Sequence, residues 1–188
     1  EGEARARAAF PGAIILRPSI VFGPEDSFFN RFAELARFSP FLPLIGGGQT
    51  LFQPVCAGDV GEAVARLVDA GVADGKTYEL GGPEALSFKA LMQFTLDTIG
   101  RKRLLLPLPW GLAKLQAAVM GLMPNPMLTT DQVEMLRHDN VVSEEARREQ
   151  RTLQGLGVVP QGIEGIVPGY LYRYRKAGQF TAPKGIPE

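Results

Sequence analysis

The stretch AIILRP at residues 13–18 decides the fold class. Its first four residues, 13–16, are all apolar and have the length of a β-strand, and Arg17-Pro18 ends the run. A continuous apolar run, unlike an alternating one, is typical of a strand covered on both faces in a parallel sheet. Residues 1–10 are rich in Ala, Arg and Glu and predict a helix, which Pro11-Gly12 ends. The order helix, turn, buried strand predicts a fold that mixes helices with a parallel sheet.

Strand and helix signals alternate along the rest of the chain. Short strands are predicted at residues 52–57, 77–80 and 104–106. Helices preceded by a capping side chain are predicted after Ser27, Asp59 and Ser87, the last two over residues 60–70 and 88–99. Further helices are predicted at residues 110–122, 130–137, 143–153 and 168–177, and a loop at residues 40–48. The alternation indicates an α/β fold with a helical C-terminal third.

The composition excludes several classes of protein. Of the 188 residues 45% are hydrophobic and 21% charged, which suits a globular domain with a hydrophobic core and excludes an intrinsically disordered chain. Basic and acidic residues number 20 each. A dedicated nucleic-acid binder needs long-range attraction to phosphate, so we expect no nucleic-acid partner. A single cysteine and a single histidine provide neither an internal disulfide nor the ligands of structural zinc, so no metal site is predicted.

No complete catalytic constellation is present among the residues of this chain. Gly46-Gly47-Gly48 precedes a strand instead of opening a helix, so it is predicted to be a plain loop and not a phosphate cradle. His138 lies in a polar helix end and is predicted to be a surface residue. Cys56 lies in an apolar strand and is predicted to be buried. Carboxylates are scattered, so we predict no catalytic residue.

Two segments carry surface-type signals. Residues 104–123 are nearly all apolar, but Pro107, Pro109 and Lys114 disfavour a transmembrane span. A buried core helix and a helix that meets a membrane, a lipophilic ligand or a partner protein both remain open. Residues 170–176 interleave tyrosines with basic side chains. Tyrosines that pack inward and cations that complement the helix dipole are the favoured interpretation, with contact to lipid or a partner as the alternative.

A family resemblance is carried by ILRPSIVFGP at residues 15–24, which resembles the RPxxVYGP signature of extended and atypical short-chain dehydrogenases, the NAD-dependent epimerase/dehydratase superfamily. Residues 53–60 resemble the strand and Asp-capped helix of that superfamily, and residues 78–83 its next strand and turn. The segments that look like the NDUFA-nine type, the Rossmann-like accessory subunit of respiratory complex I and its bacterial relatives, are residues 22–33, 128–133, 139–142 and 170–175.

The resemblance implies the C-terminal half of a Rossmann-like, doubly wound domain plus a small helical substrate-side lobe. Residues 1–103 would be the C-terminal part of the NAD(P)-binding domain, residues 104–180 the mostly helical lobe, and residues 181–188 a tail. The Gly-rich nucleotide loop and the Tyr-x-x-x-Lys pair of the superfamily are expected to lie N-terminal to Glu1. The 188-residue chain alone is therefore expected to be inactive.

The resemblance also implies a cofactor and partners. In the full-length protein NAD or NADP would be held mainly as a structural element, with Pro18, Ser19, Ile20 and Val21 on its nicotinamide side. The protein would be associated with NADH:ubiquinone oxidoreductase or with membrane-lipid metabolism, and its partners would be complex I subunits or a membrane surface. We expect it in the cytoplasm or peripherally on the inner membrane, on the matrix side in a eukaryote.

Two alternatives from other functional classes remain. Epimerases that act on nucleotide sugars carry an Arg in the strand before the capping Asp, and here Phe52 takes that place, which favours a lipophilic substrate or none. The first alternative is therefore an active NAD(P)-dependent oxidoreductase or epimerase that acts on a lipophilic small molecule. The second is a non-catalytic module that docks on a membrane or partner through the helix at 110–122 and the basic segment at 173–176.

Overall fold

The computed structural model describes residues 2–120 and 130–176. The helices are α1 Gly2–Ala9, α2 Phe29–Phe38, α3 Ala57–Asp69, α4 Phe88–Thr98, α5 Trp110–Met120, α6 Thr130–Met135, α7 Glu144–Arg148, α8 Ile163–Ile166 and α9 Pro168–Leu171. The strands are β1 Ile15–Pro18, β2 Val21–Phe22, β3 Phe41–Ile45, β4 Leu51–Phe52, β5 Val55–Cys56, β6 Thr77–Leu80, β7 Leu86–Ser87 and β8 Leu104–Leu108. Turns of 3-10 helix lie at Gly46–Gly48, Gln154–Leu156 and Tyr172–Tyr174.

The strands of the described residues form pairs, three of them parallel. β1 pairs with β6, β2 with β5 and β3 with β8, all in parallel, whereas β4 and β7 are antiparallel. Parallel strands joined through helices confirm the predicted α/β class. The division at residue 103 stays a prediction, and the tail at 181–188 lies outside the described residues.

The strand predicted at 13–16 lies two residues further along, at Ile15–Pro18, so the prediction that Arg17-Pro18 ends it is wrong. Pairing continues because Ser19 N–H donates to the Leu80 carbonyl at 2.9 Å, which directs the backbone of Pro18 to the opposite edge. A proline on that edge costs no hydrogen bond to β6. Among the described residues this strand is only half-covered, since Arg17 and Pro18 are exposed.

The loop predicted at 40–48 contains a strand instead, β3 at Phe41–Ile45. Leu104 N–H donates to the Pro40 carbonyl at 3.1 Å, and strand alternation then turns Pro43 away from β8. The three glycines that follow form a 3-10 turn with φ of 60°, 75° and 74°, a backbone that glycine adopts without strain. The strand predicted at 52–57 is divided into β4 and β5 by Gln53-Pro54.

The three predicted helix caps have different outcomes. Ser87 is confirmed, because its hydroxyl accepts a hydrogen bond from Ala90 N–H at 3.1 Å. The prediction that Ser27 caps α2 is wrong. Asp26 takes this role, because its carboxylate accepts a hydrogen bond from Phe29 N–H at 2.6 Å. Asp59 is also wrong as a cap, since α3 begins at Ala57 and places Asp59 inside the first turn.

Asp59 instead ties α3 to the chain near residue 161. It is 2% exposed, and its carboxylate accepts hydrogen bonds from Gln161 N–H and from Gln161 Nε2, each at 2.7 Å. A carboxylate in the first turn of a helix is also stabilised by the helix dipole. Asp59 thus holds the C-terminal segment against the helix that it was expected only to cap.

We expect Asp59→Ala to lower the free energy of unfolding by about 2 kcal/mol, because two hydrogen bonds to a buried charged acceptor are lost. Urea unfolding followed by circular dichroism measures the change. The exposed Asp69 of the same helix provides the control, and Asp69→Ala should change stability by less than about 0.5 kcal/mol. Equal losses for the two variants would contradict the role of the Gln161 contact.

The main hydrophobic core lies between α2, α4 and the C-terminal helices. Its largest fully buried side chains include Phe22, Phe29 and Phe88, and the C-terminal Leu171 packs into the same cluster. Tyr170 is also buried there, and its hydroxyl donates to Asp26 at 2.5 Å. Burial, with the neighbouring carboxylate of Asp26, raises the pKa of the Tyr170 phenol. The C-terminal segment therefore holds the residues that begin α2.

Of the two segments with surface-type signals, the first lies at the surface and the second packs Tyr170 into the interior. In α5, Leu112 and Leu115 are more than half exposed, so the helix lies at the surface and is not a buried core helix. The side chains of Val119 and Leu122 lie outside the described part. In 170–176 the inward packing of Tyr170 is confirmed, and Arg175 donates to the Thr98 carbonyl at 2.9 Å. Among residues 2–120 and 130–176, no helix has both the length and the apolarity that crossing a bilayer requires.

Candidate functional site

The loop at 18–21, predicted to face a nicotinamide, is fixed by backbone hydrogen bonds. The Ser19 hydroxyl donates to the Asn140 carbonyl at 2.7 Å and accepts from Gln53 N–H at 3.1 Å. The Ile20 carbonyl accepts from Val55 N–H at 2.9 Å. Ser19 is buried, whereas Val21 is 38% exposed. The loop is therefore held from both sides and presents Val21 outward.

An apolar cavity of about 420 Å³ lies beside this loop. It is lined by Ile20, Val21, Ser27, Phe28, Arg31, Phe32, Ile45, Phe52, Phe88, Met135, Leu136 and Asn140. Four of these residues are phenylalanines whose rings meet at centroid distances of 5.2 to 6.5 Å, mostly edge to face. Such contacts fix the rings, so the wall has a defined shape.

Local sequence explains how the aromatic wall forms. Phe28 and Phe32 are four residues apart at the start of α2, which places them on one side of the helix. Phe88 is the first residue of α4, directly after the Ser87 cap. Phe52 lies on β4 opposite Leu86 of β7. Three separate elements therefore bring one aromatic surface together.

The segment that ends at Asn140 closes the far side of the cavity. Thr50 Oγ1 donates to the Leu136 carbonyl at 2.5 Å, and Leu51 N–H donates to the Asp139 carboxylate at 2.8 Å. Asn140 N–H then donates to the Leu51 carbonyl at 2.8 Å. These bonds fix the segment along β4, next to Phe52.

The chemistry of the cavity is that of a binding site. Its volume lies within the range of small-molecule pockets, and its polar lining consists of Ser27, Arg31 and Asn140. The lining contributed by the described residues contains no carboxylate, imidazole, thiol or phenol. These residues can hold an apolar group, but they supply no general acid or base.

A polar cleft of about 200 Å³ lies on the other side of the 18–21 loop. Arg17, Ser19, Glu79 and Ser143 are among its lining residues. The Glu79 carboxylate accepts from Ser143 N–H at 2.7 Å. The loop thus lines two different spaces, with Ser19 in the polar cleft and Ile20 and Val21 in the apolar cavity.

Gln53 connects the strands at this site, and the sequence analysis did not single it out. It is buried, its Nε2 donates to the Gly82 carbonyl at 2.7 Å, and its Oε1 accepts from Val142 N–H at 3.0 Å. A Cβ at Gly81 would lie 2.6 Å from Gln53 Cδ, so this glycine gives the amide its room. The only signal in the sequence is one polar residue between the apolar Phe52 and Pro54.

The other predicted residues lie where the sequence placed them. Cys56 is buried in β5, and His138 is exposed. Within the described ranges no three potential metal ligands lie together. Whether Pro18, Ser19, Ile20 and Val21 contact a cofactor stays a prediction.

Several known proteins similar to the chain are mitochondrial subunits of NADH dehydrogenase (ubiquinone). The chain is 38% identical over 180 residues to NADH dehydrogenase (ubiquinone) 1 alpha subcomplex subunit 9, mitochondrial, of Arabidopsis thaliana. The aligned stretch covers 90% of the chain and 44% of the Arabidopsis protein. These subunits are homologues of the chain. The Rattus norvegicus subunit 9 is 34% identical over 165 residues, which covers 87% of the chain and 42% of that subunit. The chain therefore spans less than half the length of both subunit 9 relatives.

Solved structures show the same fold at lower identity. A dTDP-glucose 4,6-dehydratase of Streptomyces venezuelae, with NAD and TYD bound, matches with a TM-score of 0.59 at 20% identity. The match covers 91% of the chain and 46% of the dehydratase chain. A UDP-glucose 4-epimerase of Thermotoga maritima matches with a TM-score of 0.56 at 16% identity. That match covers 86% of the chain and 45% of the epimerase chain. No protein-family model matches the chain. These matches confirm the Rossmann-like fold that the family resemblance implied.

Proposed function

We propose that the chain is part of an NAD(P)-binding accessory subunit of NADH:ubiquinone oxidoreductase, in which the dinucleotide serves mainly as a structural element. The observation that carries the proposal is the 38% identity to the Arabidopsis subunit over 90% of the chain. The protein would lie at the inner membrane, on the matrix side in a eukaryote.

The 18–21 loop is proposed to face the nicotinamide ring. Fixed backbone on both sides of Ser19 and an outward Val21 suit a loop that a flat ring can approach. The Gly-rich loop that would bind the pyrophosphate is expected elsewhere in the longer protein, because the 188 residues contain no such loop before a helix.

Val21→Trp tests this placement in the full-length protein. We expect the dissociation constant for NADPH to rise at least about tenfold, because the indole would occupy the space of the ring. Val64→Trp, on the outer surface of α3 and exposed to a similar degree, should leave the constant unchanged. Fluorescence titration of NADPH measures both. Equal affinities in the two variants would remove Pro18–Val21 from the cofactor site.

Association with the respiratory complex is tested separately. A tagged full-length protein should migrate with NADH:ubiquinone oxidoreductase on a native gel and should be recovered with its subunits. Migration only as a free protein, with NADPH still bound, would leave the cofactor proposal standing and would overturn the proposed partner.

A second candidate is an NAD(P)-dependent oxidoreductase or epimerase that acts on a lipophilic substrate, and Phe52 in the cavity wall favours it. Oxidation of NADPH by the full-length protein with medium-chain aldehydes or ketones distinguishes the two functions. Turnover that Phe52→Arg abolishes, in a protein that still binds NADPH, would establish the second candidate. We expect no turnover.

A further inference from the structure

The two parallel strands β3 and β8 form a ribbon with two chemically different faces. Leu42 and Leu44 pack into the main core on the inner face. The outer face carries Phe41, Leu104 and Leu106, which are 47%, 68% and 44% exposed. Phe41 pairs with Leu104 in the ladder, so these side chains stand side by side. The ribbon therefore presents an apolar patch outward at the end where both strands begin, whereas Ile45 at the other end of this face is 4% exposed and packs against α5. Such an exposed apolar patch often marks an interaction surface.

A cluster of cations borders the end of the ribbon where both strands begin. Arg103 donates to the Ala36 carbonyl at 2.8 Å, and Arg37 lies with its Cζ 5.4 Å from the exposed Phe38 ring. Arg101 Nε donates to the Tyr174 carbonyl at 2.9 Å, and burial with the charges of Arg103 and Arg37 lowers the pKa of Arg101. Lys102 lies between Arg101 and Arg103 in the chain.

Among the residues that the structure describes, no carboxylate neutralises these cations. Within residues 2–120 and 130–176, none of Arg37, Arg101, Lys102 and Arg103 forms an ion pair. Arginine binds phosphate as well as carboxylate groups through paired hydrogen bonds, so an anionic phosphate surface would complement this group of cations.

The edges of the ribbon do not favour pairing with another strand. The ladder directs the backbone of Pro43 and of Pro107 away from the partner strand, to the two outer edges. Proline on an edge removes the N–H that an added strand would need. The outer face, and not an edge, is thus the surface available for contact.

We propose that the outer face of the β3–β8 ribbon, with Arg37, Arg101, Lys102 and Arg103, docks on an anionic lipid bilayer. The apolar side chains would enter the boundary between headgroups and acyl chains while the cations contact the phosphates. Charge complementarity selects this occupant, because the patch is basic at one end and purely apolar beyond. The surface differs from the 110–122 helix and the 173–176 segment, through which the second sequence-based alternative would dock, and the inference does not depend on the proposed cofactor.

Vesicle co-sedimentation tests the proposal on the purified full chain. We expect binding to phosphatidylcholine vesicles that contain phosphatidylglycerol, weak binding to phosphatidylcholine alone, and loss of binding at high salt. Leu104→Gln should weaken partitioning about tenfold, as expected for an inserted leucine. Lys102→Gln should weaken it roughly fivefold, as expected for one cation near an anionic surface.

Matched variants on other surfaces control for general effects. Val68→Gln replaces an equally exposed apolar residue on α3, and Arg148→Gln removes an exposed cation from α7. Both should bind vesicles as the parent does. If Leu104→Gln does not fold, vesicle binding of Phe41→Gln and Lys102→Gln is measured in its place. Equal binding to neutral vesicles, equal losses in the control variants, no binding at all, or a dimer that Leu104→Gln dissociates would each overturn the proposal.

Discussion

Phe88→Ala is expected to lower the free energy of unfolding by about 4 kcal/mol. Phe88 is 1% exposed and contacts Phe28, Phe32 and Phe52 at ring centroid distances of 5.6 to 6.4 Å. Removing the ring loses its transfer free energy and leaves space that the fixed neighbours cannot fill. Urea unfolding monitored by circular dichroism measures the loss.

Phe38→Ala is the matched control, because the same ring at the end of α2 is 77% exposed. Its substitution should change stability by less than about 0.5 kcal/mol. A loss at Phe88 no larger than at Phe38 would mean that the aromatic wall is not a packed unit. The candidate cavity would then lose its defined shape.

Gln53→Leu should cost about 3 kcal/mol, although leucine matches the size of glutamine and is apolar. The Gly82 carbonyl and the Val142 N–H would both lose their partner while they remain buried. Each unpaired buried group costs roughly 1–3 kcal/mol, which exceeds what the added apolar surface returns. Thermal and urea unfolding both report the change.

Gln93→Leu is the control, since the Gln93 amide is exposed and bonds only to the exposed Asp97 carboxylate at 2.9 Å. We expect almost no effect there. If Gln53→Leu proves as stable as the parent, the amide does not connect the Gly82 turn to the 140–142 segment. The position of Asn140 beside the cavity would then rest on its bonds to β4 alone.

Sequence reasoning succeeded where one local signal decides the structure. The strand Thr77–Leu80 has the predicted bounds, because it begins with the β-favouring Thr77 and Tyr78 and is followed by the turn signal Gly81-Gly82-Pro83. Ser87 caps α4 as predicted, since a serine before an apolar helix has one favourable use for its hydroxyl. The parallel pairing also follows from the apolar run at 13–16.

The sequence-based predictions were wrong where a contact with a residue distant along the chain determines the structure. Pro43 and the glycines after it indicate a loop at 40–48, but β8 pairs with this segment through groups that Pro43 does not use. Asp59 has the sequence pattern of a cap, and only the position of Gln161 reveals its actual partner. In both cases the deciding contact lies about sixty to one hundred residues away along the chain.

The site was predicted only in its general chemistry. Phe52 in place of an arginine indicated a lipophilic substrate or none, which stays a prediction, and the structure places Phe52 in the wall of an apolar cavity. The aromatic wall could not be found, because Phe28, Phe52 and Phe88 lie on three elements with no common spacing. Gln53 gave no signal, since the need for its amide arises from backbone groups at Gly82 and Val142.

The register of the parallel pairs has a consequence for biosynthesis. β1 meets β6, and β3 meets β8, about sixty residues further along the chain. At roughly 5–20 residues per second, a ribosome takes about 3–12 s to add the second strand after the first. During that interval Ile15, Leu16, Leu42 and Leu44 are exposed without a partner strand. We therefore expect slower translation between residues 45 and 104 to increase aggregation of the nascent chain, because these apolar segments stay without a partner strand for longer.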